Sequence, residues 1–467
     1  MSKIARMMQQ ATAGAGGAGL DVDDVFSVDV RSGTGSGTAW SVNNGIDLSG
    51  EGGLVFYKSR TQSQNWIAFD TVRGKPSGYS GLALLYPNAT NAQSNWSWIT
   101  QFNNNGFSGD GQGNKNDSNH DYVSWTFRKA KKFFDIVTYT GTSGTQAISH
   151  NLGSVPGMII VKCTSGTGNW RVYHRGINSS VGYSNPEEYV LILNGTNEAN
   201  YSDSYWNDTA PTSTHFTVGG DDDVNDFGDT YVAYLFAHNN NDGEFGPNQD
   251  QDIIKCGSYN GNSTIGHTIN LGFEAQWVLV RSTSNLRKWM LYDVMRGMPV
   301  DGNGAALYPN DTDDEESLAR IGASNVGFQL TSTDSFVNVS GETYIYMAIR
   351  RGPLAAPTDA TKVFAMSTRG ATTPPPAWVS GFPVDFALET VVNNTGGFLA
   401  ASRLTSGNYL DTSSTNAEQA YSDYDFDYNN GWSSMTGVNS NNQSWMWKRA
   451  PGYFDCVAFS GTGSART

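Results

Sequence analysis

The sequence predicts an all-β fold of tandem β-sandwich (jelly-roll) modules, preceded by one short N-terminal helix. Three observations predict it. The chain repeats itself about four times at a period of roughly 105–120 residues. That is too long for solenoid units of about 20–50 residues, and long enough for each copy to own a core. Composition is the second: aromatics reach 12%, charged residues only 16%, and there are 53 glycines. Disordered chains carry more charge and fewer aromatics, and this mixture suits turns joining aromatic and β-branched strands. The third is a closing segment with aromatic residues at i and i+3 or i+5 and apolar residues between: Tyr122-Val123-Ser124-Trp125-Thr126-Phe127, Tyr231-Val232-Ala233-Tyr234-Leu235-Phe236 and Tyr344-Ile345-Tyr346-Met347-Ala348-Ile349. Such a strand is expected to be covered on both faces. Its fourth copy ends Trp445-Met446-Trp447, and Trp125, Tyr234 and Trp447 are expected in cores.

Each repeat opens with a hydrophobic block ending on a basic residue at a fixed distance from a leucine: Leu48 to Lys58, Leu152 to Lys162, Leu271 to Arg281. A fourth block, Phe386-Ala387-Leu388, follows Gly381-Phe382 as Trp277-Val278-Leu279 follows Gly272-Phe273. Next comes a strand running from Trp to Arg-Gly: Trp66 to Arg73, Trp170 to Arg175, Trp289 to Arg296. Then Leu85-Tyr86-Pro87-Asn88-Ala89-Thr90 matches Leu307-Tyr308-Pro309-Asn310-Asp311-Thr312, and more loosely Leu193-Asn194-Gly195-Thr196. The connectors repeat too: Ala130 to Asp135 matches Ala450 to Asp455 in spacing, which predicts strand-like links and fairly rigid neighbours. Pro374-Pro375-Pro376 favours an extended spacer instead. The predicted boundaries are 1–20 for an anchor and Gly-rich spacer, then modules at 21–135, 136–250, 251–358 and 359–467.

Residues 4–10 carry the helix. Ile4, Met7 and Met8 form one apolar stripe at i, i+3, i+4. So short a helix is marginal alone, since isolated helices need about 12–15 residues, and it is expected to order against a partner.

The net charge of −15 argues against nucleic-acid backbones and anionic membranes as ligands. No segment has the length of a membrane span or the form of a signal peptide, so synthesis in a cytoplasm is expected. Cys163, Cys256 and Cys456 lack ligand spacing, which disfavours zinc, and disulfides are not expected.

The motifs Asn151-Leu152-Gly153-Ser154-Val155-Pro156-Gly157-Met158-Ile159-Ile160-Val161-Lys162, Asn169-Trp170-Arg171-Val172-Tyr173-His174-Arg175-Gly176 and Tyr231 to Ala237, with the opening Met1 to Gln10, carry a resemblance. They resemble repeat domains in structural proteins of marine tailed bacteriophages, including phages of cyanobacteria. These are described as tail-fibre-like, with concanavalin-like (laminin-G-like) sandwiches. The resemblance implies a virion component, made in the host cytoplasm, and it brings no catalytic residues. It implies a tail fibre or related appendage contributing to host-surface attachment. The alternatives are a purely architectural capsid-decoration or tail component without ligand, and a polysaccharide depolymerase. Expected partners are other virion proteins through Ile4, Met7 and Met8, sister copies (a homo-oligomer, with a trimer favoured) and a host surface glycan.

Signals for catalysis are poor. His174 is the one histidine inside a repeated motif, but Asp70 and Asp293 stand at its counterparts, so it reads as a surface-strand residue. The runs Asp221-Asp222-Asp223 and Asp313-Asp314-Glu315-Glu316 read as solvated turns whose acids point apart, unlike a glycosidase pair. No cofactor is expected, and calcium is the one ion these turns suit. The best binding candidates are Trp66, Arg73, Trp170, Tyr173, Arg175, Trp289 and Arg296. Flat aromatic faces and guanidinium forks complement sugar C–H faces and hydroxyls. The competing reading is core tryptophans with arginines pairing locally.

Overall fold

One antiparallel strand order recurs along the chain, because each repeat places the same hydrophobic segments in the same sequence. The computed structural model describes residues 19–111, 113–177, 185–368, 375–392, 397–421, 423–434 and 441–459. The proposed anchor residues Ile4, Met7 and Met8 lie outside them. Every main sheet runs opening, closing, central, flanking strand. In module 1 these are Phe26–Ser32, Asp121–Arg128, Gly53–Ser59 and Ile67–Asp70. In module 2 they are Phe134–Thr140, Thr230–Ala237, Pro156–Cys163 and Arg171–His174. Module 3 uses Ile254–Asn260, Thr343–Arg350, Ala275–Ser282 and Met290–Asp293. Module 4 uses Phe364–Thr368, Asn442–Trp447, Phe386–Val391 and Leu399–Ser402. The strand-like connector is thus the first strand of each module, and the block ending in a basic residue is the central one.

A smaller sheet closes each sandwich, such as Trp40–Asn43 with Gly106–Gly109 in module 1 and Trp378–Val379 with Gly431–Trp432 in module 4. Side chains alternate between the two faces of a strand, so each main sheet has an inner and an outer face. In module 1 the inner face (Val55, Tyr57, Ile67, Phe69) packs on Trp40, Val42 and Phe107. Modules 3 and 4 have matching cores, around Val278, Met290 and Phe328, and around Ala387, Met446 and Trp378.

The outer faces of modules 1, 2 and 3 are not solvated. Trp66, Trp125 and Phe127, Ile160, Tyr234 and Phe236, and Trp277, Leu279 and Met347 share one buried cluster. Phe127 meets Phe236 at 5.3 Å and Trp277 at 5.9 Å between ring centroids, so one ring touches both other modules. Three sandwiches therefore surround a common core. This explains the doubly apolar closing strands: Trp125 and Tyr234 are both fully buried. Trp447 departs from expectation. It is only half-buried, packed among Phe364, Phe386 and Phe454 and outside the cluster that modules 1, 2 and 3 share. Among the described residues no helix is long and apolar enough to cross a membrane.

Candidate functional site

The repeated motifs converge at the three seams of this ring. Within module 1, the Asn88 side chain accepts the Trp66 backbone N–H at 2.9 Å. Asn194 and Asn310 do the same for Trp170 and Trp289, each at 2.8 Å. This fixes the following loop, whose threonine carbonyl then faces the next module. Thr90 O accepts from Gly168 N at 2.9 Å, Thr196 O from Arg287 N at 3.1 Å, and Thr312 O from Gln64 N at 2.9 Å. Three residues on, the N–H groups of Gln93, Ala199 and Glu315 donate to Thr164, Thr283 and Arg60 carbonyls at 3.0, 2.9 and 2.7 Å. Module 1 thus engages module 2, module 2 engages module 3, and module 3 engages module 1. The ring closes.

The tryptophans serve the same seams. Trp170 Nε1 donates to Tyr86 O at 3.0 Å, and Trp289 Nε1 to Ile192 O at 2.8 Å, each in the preceding module. The Trp66 indole N–H lacks such a partner, and its ring stacks on Trp125 at 5.1 Å. The basic residues that end the central strands are buried here too. Lys162 Nζ donates to Thr90 O at 3.3 Å, and Arg281 donates to Asn197 O. Lys58 Nζ holds Ser59 O and Gln62 O of its own module at 2.9 and 3.2 Å. Burial pushes Lys58 and Lys162 down to about 8 and Arg281 to about 9.

A polar latch joins each flanking strand to the next module's closing strand. Asp70 accepts from Arg73 Nε at 2.5 Å and from the Tyr234 hydroxyl at 2.8 Å. Asp293 accepts from Arg296 Nε at 2.7 Å and from Trp125 Nε1 at 2.9 Å. His174 takes the equivalent place in module 2. Its Nδ1 accepts from Gly176 N at 3.0 Å, so its Nε2–H donates to Tyr346 O at 3.0 Å. Burial holds this imidazole neutral, down to about 3.

Three expectations are thereby corrected. Trp66, Trp170, Tyr173, Trp289 and Arg296 are buried, the Arg73 side chain is covered by its pairing with Asp70, and Arg175 is exposed. A sugar platform needs an open ring face, and these faces are spent on the common core. The local-pairing alternative describes Arg73 and Arg296. His174 is not a surface residue, being 1% exposed. Nor is the acidic run at 313–316 merely a solvated turn. Glu315 binds Arg60 through both oxygens and Arg296 at 2.9 Å, while Arg60 also reaches Asp427 of module 4 at 2.6 Å. The guanidinium groups of Arg296 and Arg60 hold the Glu315 carboxyl below its usual value. Asp223 pairs with Arg171 at 2.6 Å, and Asp221 caps the helical turn Asp222–Asn225.

Sequence reasoning missed one open aromatic feature. Trp96, 52% exposed, stacks on Trp98 at 5.4 Å with 7° between planes, and the Lys115 ammonium lies 5.5 Å from the Trp98 ring. The signal was Trp-Ser-Trp in a polar stretch, outside every repeated motif. Among the described residues, no three His, Cys, Asp or Glu side chains gather as metal ligands.

A family model described as a domain of unknown function (DUF7483) matches residues 22–353, the span of the three ring modules and not of the fourth. Among curated proteins, none matches the chain.

Proposed function

The chain belongs to this family of unknown function, and from that premise we propose a non-catalytic structural protein of a phage virion, serving in a tail fibre or related appendage. The observation that carries the structural role is the ring itself. Most of the residues repeated in the sequence are consumed by packing one module on the next, with Arg175 exposed. A closed ring of sandwiches is a stiff body, suited to bearing load or spacing other parts. The virion setting rests on the motif resemblance described above. Purified phage particles test it: the chain is expected among their proteins at a fixed copy number, and its absence from particles overturns the reading.

A second reading, host-surface attachment, has one specific observation in its favour. The stacked Trp96–Trp98 pair offers an open aromatic face, the chemistry that holds a sugar ring. Weak sites of this kind gain strength when several copies engage one surface. A glycan array separates it from the purely architectural role, and product release from host polysaccharide would reveal a depolymerase.

A further inference from the structure

Module 4 exposes the sheet face by which its three sisters seal the ring. Strand pairing makes the equivalence residue by residue. In module 1, Val28 and Phe56 flank Trp125 across the sheet, and Trp66 stacks on Trp125. In module 4, Met366 and Leu388 flank Trp445, and Phe398 packs on Trp445 at 5.6 Å. The corresponding residues of module 2 are Ile136, Ile160, Tyr234 and Trp170. Those of modules 1 and 2 lie in the shared core or pack against it. In module 4, Met366 is 63% and Phe398 42% exposed, and Val392 beside them is 61% exposed. These residues line one open groove with Trp445. The closing strand records the difference: its burial alternates in module 4 and is continuous in modules 1 and 2.

We propose that this face is an interface between copies of this chain, and that three fourth modules from three chains close the same three-fold arrangement that modules 1, 2 and 3 close within one chain. The occupant follows from the fold. Among the described residues the matching face is covered each time by sister modules and their connectors, and a sister module with an open face exists only on another copy. The aromatic stack and its apolar flanks are kept, while the charged fittings are not. Thr390 stands where Lys58, Lys162 and Arg281 stand, and Ser402 where Asp70, His174 and Asp293 stand. The inter-chain seam is therefore uncharged, with Thr368, Thr390 and Gln443 beside its apolar residues, and needs no charge stripped of water. The proposal is independent of the virion reading, since it concerns assembly and not location.

Sedimentation velocity of the full chain tests it. A trimer in reversible exchange with monomer is expected. Met366→Glu combined with Phe398→Glu is expected to raise the dissociation constant about 100-fold or more, as loss of two buried anchors does. Both side chains are open in the single chain, so far-ultraviolet circular dichroism and the thermal midpoint at high dilution should stay as in the parent. Val392→Glu alone gives an independent, smaller weakening. Deleting residues 2–12 should leave the trimer in place. A monomer at the highest soluble concentration overturns the proposal, as does a dimer. A trimer indifferent to the face variants, or one lost only on deletion of residues 2–12, overturns it in favour of another contact.

Discussion

Replacing Asp293 with alanine removes the latch between modules 3 and 1. The carboxylate is fully buried and accepts from Trp125 Nε1 of module 1, from Arg296 Nε and from the Arg296 backbone N–H. Its loss leaves the Trp125 indole N–H without an acceptor, which costs about 1–3 kcal/mol. It also leaves the wholly buried Arg296 guanidinium with Glu315 as its one carboxylate. Breaking a buried pair costs about 3–5 kcal/mol, and the two effects overlap, so about 3–5 kcal/mol in total is expected. The reasoning makes a second demand. If the three modules share one core, the loss must spread around the ring. Native-state hydrogen exchange reads this directly. In Asp293→Ala, protection should fall together in the closing strands Asp121–Arg128, Thr230–Ala237 and Thr343–Arg350. A loss confined to Thr343–Arg350, or a total cost below about 1 kcal/mol, refutes the shared-core account.

Other consequences are smaller in scope. Folded His174 is pushed to about 3 and His238 to about 4, both below the unfolded value near 6.5. The unfolded chain then binds more protons, so stability falls as pH drops from about 6.5 towards 3, by up to about 1.4 kcal/mol per pH unit for each histidine. Urea unfolding of the parent and of His174→Gln between pH 7 and 5 should differ by one such slope, and parallel curves would remove His174 from the account. Glu315→Gln should destabilise by about 2–4 kcal/mol by urea unfolding, since it uncouples Arg60 from Arg296. Because the folded Glu315 value is lowered, its contribution is present above the unfolded carboxyl value and fades as pH falls below it. Trp96→Ala should change stability by less than about 0.5 kcal/mol while abolishing any binding seen on a glycan array, and binding that survives would exclude the stacked pair as the platform.

The fold was largely legible. Register-locked repeats, doubly apolar closing strands and turn-rich composition each report local requirements of one sandwich. What the sequence did not disclose is that copies of one module cover each other. Trp66, Trp170 and Trp289 illustrate why. A tryptophan on an outward face reads alike whether solvent, ligand or a sister module lies beyond it, because strand alternation fixes the face and not its neighbour. The recurring Asn88, Asn194 and Asn310 held a clue, since loops repeated that faithfully have a common task. The polar start Asn442-Gln443-Ser444 of the module 4 closing strand, against the unbroken apolar run of Tyr231–Ala237, held another. Glu315 gave no signal in its acidic run, because its arginines arrive from positions 60 and 296.

Chain connectivity explains where the strongest electrostatics lie. Connectors at residues 129–133 and 238–253 tether module 1 to 2 and module 2 to 3, so those seams close at high effective concentration. The 3–1 seam has no connector across it. There the latch is richest in ion pairs: the chain of contacts Trp125, Asp293, Arg296, Glu315 and Arg60 runs across the boundary with two carboxylates, against the single carboxylate of Asp70, held by Arg73 and Tyr234, at the 1–2 seam, and His174 and Arg281 on backbone carbonyls at the 2–3 seam. Module 4 lies over this same seam. It holds module 1 through Asp427 on Arg60 and Asn429 on Asp29, and module 3 through Arg403 on the Val294 carbonyl and Arg449 on Glu274. Desolvating these groups is costly, and buried ion pairs alone are weak evidence for stability, so their concentration here argues for a positional role. Apolar outer faces bring three sandwiches together in any rotation. Directional hydrogen bonds at the untethered seam select the one rotation in which the ring closes, and module 4 clamps it from outside.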